Sequence, residues 1–90
     1  MAEIIDFRDP KEFEYEYLRH RDTPIRIVFN KDGYEVSQDT LDVENKKLVR
    51  GFFRMSTIND PCTDEISKDE FDALCQGLVS KKKLRYHRTV

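Results

Sequence analysis

Apolar residues along the 90-residue chain fall in separate clusters, and their spacing changes from one cluster to the next. Ile25 to Phe29 is the most strand-like run, with Ile25, Ile27 and Phe29 on one face and Arg26 and Val28 on the other. The following Asn30-Lys31-Asp32-Gly33 predicts a turn, in which Gly33 can take the positive φ that a hairpin needs. Tyr34 to Ser37 then returns as the partner strand. Leu41-Asp42-Val43, the polar residues 44–47 and Leu48 onward predict a second hairpin with a long outgoing strand, LVRGFFRMSTI. Gly51 inside that strand marks a bulge or a close backbone approach. A helix over 46–56 is the alternative, because Leu48, Phe52 and Met55 also fit helical spacing. A strand is preferred because the flanks are β-branched and turn-like, and because a glycine costs a helix about 1 kcal/mol.

Two segments predict helices. Asp9-Pro10-Lys11-Glu12 combines a capping residue, a proline suited to the first helical position and a glutamate placed to reach back. It predicts a helix through FEYEYLRHR, with Phe13, Tyr17 and Leu18 as its apolar stripe, ending before Pro24. The second helix spans 67–80. Ser67 is its N-cap, Glu70 completes a capping box, and Ile66 with Phe71 forms a hydrophobic staple. Phe71, Leu74, Cys75 and Leu78 make its apolar stripe, so Cys75 is expected in the core. Ile4 to Phe7 reads as a short strand, 59–66 as a loop and 84–90 as a last strand. The expected fold is therefore a single compact α+β domain over residues 1–90, a mainly antiparallel sheet of four or five strands with two helices packed on one face. Its expected core is Phe13, Tyr17, Ile25, Ile27, Phe29, Phe53, Phe71, Leu74 and Leu78.

The stretch DEISKDEFDAL, residues 64–74, resembles the exit half of a calcium-binding EF-hand loop. With Ile66 at the eighth place of such a loop, Asn59 is the first, Pro61 the third, Thr63 the fifth and Asp64 the sixth. Calcium needs oxygen ligands at the first, third and fifth places and a glycine at the sixth. Pro61 has no side-chain oxygen, and Asp64 stands where glycine is required. Helix initiation accounts for the same residues, and no calcium site is expected.

Composition narrows the function classes. Apolar and charged residues each make up 38% of the chain, and the net charge is only −2, a balance that fits a folded domain rather than a disordered one. The opening MAEIIDF lacks the basic region and apolar run of a secretory leader, and nothing approaches a transmembrane length, so a cytoplasmic location without membrane contact is expected. Cys62 and Cys75 are then expected as reduced thiols. His20, Cys62, Cys75 and His87 are not at metal-ligand spacings, so no metal and no cofactor are expected. No nucleophile elbow, P-loop or dinucleotide fingerprint occurs, and no catalytic residue is assigned. Cys62 lies between Asp60 and Asp64, a setting that discourages a thiolate.

Charge is unevenly placed. Residues 1–80 carry 11 basic and 18 acidic groups, a net −7, while residues 81–90 carry five basic groups and none that are acidic. The expectation is a small non-enzymatic interaction domain, of the kind of an inhibitor, an immunity-type factor, an adaptor or an assembly subunit, acting on another protein by surface complementarity. Lys82, Lys83, Arg85, Tyr86 and Arg88, on an expected edge strand, and Arg54 are its candidate partner-binding residues. A homodimer is left open. The alternative is single-stranded nucleic-acid binding through the basic C-terminal segment and sheet aromatics.

Overall fold

The structure, a computed structural model, describes residues 3–9 and 11–88, with side chains as far as Ser80. It is an α+β domain built on one five-stranded antiparallel sheet. The strands are β1 (Glu14–His20), β2 (Thr23–Phe29), β3 (Glu35–Asp42), β4 (Lys47–Gly51) and β5 (Thr63–Ile66). Two helices accompany them, the single turn α1 (Met55–Ile58) and the long α2 (Lys68–Arg88). The sheet order is β4-β3-β2-β1-β5. No helix among the described residues is long and apolar enough to cross a membrane.

The central hairpin forms as its sequence pattern requires. The Asn30 side chain accepts hydrogen bonds from the backbone N–H groups of Asp32 and Tyr34, both at 3.0 Å, and Gly33 takes a φ of 86°. Tyr34–Ser37 and Leu41–Asp42 are not separate strands. From Glu35 onward both belong to β3, which pairs with β2 on one side and with β4 on the other.

The segment expected as the first helix is β1 instead. Asp9 does cap a turn, accepting the Lys11 N–H at 2.9 Å on its side chain and the Glu12 N–H at 3.2 Å on its carbonyl. The chain then turns extended, because Phe13, Tyr15 and Tyr17 also alternate with period two, and β2 offers a complete partner strand. A two-residue turn at Arg21-Asp22 joins the strands, with Arg21 held at a φ of 56°. Nor is the segment after Leu48 one long strand. It divides at Gly51, where a Cβ would meet the Phe53 ring and the Thr40 methyl group at 3.1 Å. That is the close approach its glycine implied. The expected 59–66 loop contains β5, a short polar strand that pairs with β1.

Both sheet faces are covered. On one, Leu18, Ile25 and Ile27 pack against Phe29, Phe53 and Ile58, so the 52–62 connection, carrying α1, crosses this face from β4 to β5. On the other, Phe71 and Cys75 of α2 pack with Leu48, Tyr17, Leu41, Ile66 and Ile4. The two helices thus lie over opposite faces, and central β2 is enclosed from both sides. Leu18, Val28, Leu48, Cys75 and Val79 are more completely buried than several residues expected in the core. Phe13, Tyr17, Phe29, Phe53, Leu74 and Leu78 are half-buried.

Helix α2 begins as expected. Glu70 N–H donates to Ser67 Oγ at 3.1 Å, and Ser67 N–H donates to Glu70 Oε1 at 3.3 Å. Ile66 packs in the same cluster as Phe71. The helix does not stop at Ser80, and the expected strand over 84–90 is helix as far as Arg88. No proline or glycine interrupts 79–88, and its Lys, Leu and Arg residues favour helix. Ser67→Ala should lower the unfolding free energy by about 1 kcal/mol through loss of the cap, read from the urea midpoint at unchanged slope.

Candidate functional site

Two features stand out on this scaffold, a buried charge cluster under α2 and an exposed apolar and basic edge at β4. The cluster begins with Arg26. It lies in the middle of an apolar strand, and its side chain points to the α2 face, where it is 3% exposed. Asp39, fully buried, is its register partner on β3. Arg26 donates to Asp39 Oδ2 from Nε at 3.2 Å and Nη2 at 2.8 Å. It also donates to Asp6 from Nη1 at 2.7 Å and Nη2 at 3.0 Å. Arg8 reaches Asp39 from the same strap, residues 3–9, with Nε at 2.7 Å and Nη2 at 3.1 Å, and the Ser37 hydroxyl adds a bond at 3.1 Å. Two cations and two anions balance, with Asp6 on the solvent side of the cluster at 36% side-chain exposure. Aromatic rings complete the shell, with Tyr15 4.6 Å from the Arg26 guanidinium and Phe7 4.6 Å from that of Arg8.

The electrostatics follow from this geometry. Burial alone would raise the Asp39 carboxyl, but hydrogen bonds from Arg8 and Arg26 outweigh it and hold the group below the usual carboxylate value. Asp6 is lowered in the same way, burial being opposed by its bonds from Arg26 and from the Arg8 N–H. Arg26 is raised, since its bonds to Asp6 and Asp39 exceed the burial that opposes its charge.

Beside the cluster, a groove of about 450 Å³ opens between the strap, the sheet and α2. Tyr15, Tyr17 and Phe71 line it with Lys68 and Asp72, which pair at 2.7 Å. The Tyr15 hydroxyl is the one buried side-chain polar atom without a partner among the described residues, and burial raises its pKa. Cys75 also borders the groove, and burial pushes its thiol up to about 12, so it packs as a small apolar group.

The remaining chemistry-bearing residues are held locally. The Thr63 hydroxyl donates to the Thr57 carbonyl at 2.6 Å, so the His20 Nδ1 that meets it at 2.8 Å must be the donor. Cys62 is exposed, and both its N–H and its thiol bond to Asp60, which is lowered chiefly by the N–H. No group of three or more metal-ligating side chains is assembled among the described residues.

The second feature is at the β4 edge. Phe53 turns inward onto the core, while its neighbours Phe52 and Met55 stand 88% and 69% exposed on either side of exposed Arg54. The strap runs parallel to β4, with the Ile5 N–H bonded to the Lys46 carbonyl at 2.9 Å and the Leu48 N–H to the Ile5 carbonyl at 2.8 Å. Ile5 and Phe7, more than half exposed, extend the apolar edge along it.

The sequence-assigned partner residues are not brought together on an edge strand. Arg54 lies at the start of α1 over one sheet face, whereas Lys82, Lys83, Arg85, Tyr86 and Arg88 continue α2, which packs on the other. Their side chains lie outside the described residues. Sequence reasoning passed over the Asp6–Arg8–Arg26–Asp39 cluster, although one signal was present: a single arginine inside the apolar run PIRIVF needs a buried counterion. Comparison with family models, with characterised proteins and with solved structures found no match.

Asp39→Ala should cost 3–5 kcal/mol or so, the usual effect of removing one partner from a buried ion pair, measured by urea unfolding at neutral pH. Because Asp6 and Asp39 are depressed, their contribution is complete above about pH 4 and is lost as pH falls through their lower folded values. The wild type should therefore lose stability in that acid window more steeply than Asp39→Ala. Native alkylation followed by mass spectrometry should label Cys62 and spare Cys75, which becomes reactive on unfolding.

Proposed function

We propose that this domain is a protein-interaction module that acts through the β4 edge, with Phe52, Arg54 and Met55 as its contact residues. The observation that carries the reading is the exposure of Phe52 and Met55 on either side of Arg54. Aromatic, arginine and methionine side chains are enriched at protein interfaces relative to the rest of the surface. The local fold holds them out. Phe53 and Ile58 anchor the segment on the core, so its outward side chains are displayed on a fixed base. An inhibitor, adaptor or assembly subunit needs such a surface and no reactive constellation.

Single-stranded nucleic-acid binding has less support. Of the two aromatics between Arg50 and Arg54 that it would use for stacking, Phe53 is packed onto the core, which leaves Phe52 alone to hold a base.

Affinity capture from lysate of the native cells with wild type and with Phe52→Ala/Met55→Ala tests the proposal. Both changes are at exposed positions and should leave the urea midpoint almost unmoved. A protein retained by the wild type should be lost with the double variant. Equal retention by both chains would remove the β4 edge from the function.

A further inference from the structure

The charge around the exposed β4 edge points to the chemistry of what binds there. Between Asn45 and Asn59 the chain holds Lys46, Lys47, Arg50 and Arg54 and no acidic residue, within a body that is net −7 over residues 1–80. All four are exposed, and none forms a salt bridge among the described residues. Lys47 stands opposite Asp42 in the β3–β4 pairing, which leaves Lys46, Arg50 and Arg54 as the freest cations. In sequence Arg50 and Arg54 bracket Phe52, and Met55 follows; Arg50, in register with Asp39, stands on the α2 side of the sheet and Arg54 on the α1 side, so the two flank the edge from opposite faces. At the other end of the sheet β5 presents exposed Asp64 and Glu65 in register with Arg19 and Leu18 of β1, so a cation stands among its carboxylates.

We infer that the β4 edge takes a short acidic segment of a partner protein in which Asp or Glu alternates with large apolar side chains. The inference rests on the proposed reading of this edge as the interface and names the class of partner. Carboxylates of such a segment meet Arg50 and Arg54, which can bind them in a bidentate fashion, while its apolar side chains cover Phe52 and Met55. The partner is a segment rather than a broad anionic surface because the positive region is narrow. Glu44 and Asp60 bound it in sequence, and a membrane or a phosphate backbone lying across it would also meet the acidic body. A second copy of the chain fits less well. Its β5 edge offers carboxylates, but the large exposed apolar side chains among the described residues are Ile5, Phe7, Tyr34, Val36, Phe52 and Met55, none of them in β5.

The test uses the full chain and fluorescein-labelled synthetic peptides. Three repeats of Glu-Phe-Asp-Leu form the acidic probe, three of Lys-Phe-Lys-Leu the basic one, and three of Glu-Ser-Asp-Ser the acidic probe without apolar groups. Phosphatidylserine vesicles are the lipid control. Fluorescence anisotropy at low salt should show binding of the first peptide alone, weakening several-fold as salt shortens the screening length to about 8 Å at physiological strength. Arg50→Gln/Arg54→Gln should weaken it about tenfold or more, and Phe52→Ala/Met55→Ala should do likewise, with circular dichroism unchanged for both.

Equal binding of the basic peptide, or loss in Phe52→Ala/Met55→Ala without any dependence on salt or on Arg50 and Arg54, would overturn the acidic partner while leaving the edge as the interface. Binding to vesicles in place of the peptide, or sedimentation as a dimer that Arg50→Gln/Arg54→Gln dissociates, would replace the partner with a membrane or a second copy. No peptide binding that depends on Phe52 and Met55 would reject both the partner class and the interface.

Discussion

The rest of the molecule is arranged around a cation that has no water to solvate it. Arg26 sits in the central strand with both sheet faces covered, and a lone guanidinium there would be prohibitive. Asp39 across the pairing and Asp6 from the strap neutralise it, and Arg8 returns the balance to zero. Such a cluster adds little to stability compared with apolar packing of the same volume. What it fixes is arrangement. A one-residue slip between β2 and β3 would turn either Arg26 or Asp39 to the opposite face and leave the other buried without its cross-strand counterion. The strap is tied to the sheet by the same bonds. It follows the β4 edge at Ile5 and then places Asp6 and Arg8 over the second face.

The covering of both faces explains why the exposed apolar side chains gather where they do. The 52–62 connection must cross from one sheet edge to the other, and it is pinned by Phe53 and Ile58. Alternation in that short stretch then forces Phe52 outward as Phe53 goes in. On the other face α2 closes over Leu48, Tyr17 and Ile66, leaving the groove where it meets the strap. The charge division follows the sheet as well. The cations of β4 and of the turn before it lie toward one edge, while at the other Asp64 and Glu65 of β5 stand in register with Arg19 and Leu18 of β1.

Much was decided by local sequence, and the reasons are local. The 30–33 turn, the capping box at Ser67 and Glu70, the staple of Ile66 with Phe71 and the burial of Cys75 each need only residues within a few positions of one another. The period-two run at 25–29 identified β2, and Gly51 marked a real close approach. These features sufficed for the α+β class and its antiparallel sheet. At the candidate site, the sequence singled out Arg54. It could not show that Phe52 points out and Phe53 in, since that depends on which face the connection crosses.

Tertiary structure decided what local signals left in conflict. Residues 9–20 carry a helix cap and a strand alternation together. The cap survives as one turn at Asp9, and the alternation prevails from Glu14 because β2 and β5 both pair with it. β5 is three polar residues and Ile66 with no periodic signal, and it is a strand because β1 supplies a partner. The C-terminal residues through Arg88 stay helical because no partner strand competes with their propensity, so the basic residues lie on a helix rather than along a sheet edge. The Arg26 cluster joins residues separated by as many as 31 positions. The sequence could announce that Arg26 needs a counterion, but only the pairing of β2 with β3 and the path of the strap could supply Asp39 and Asp6, because an ion pair is specified by distance in space and not by distance along the chain.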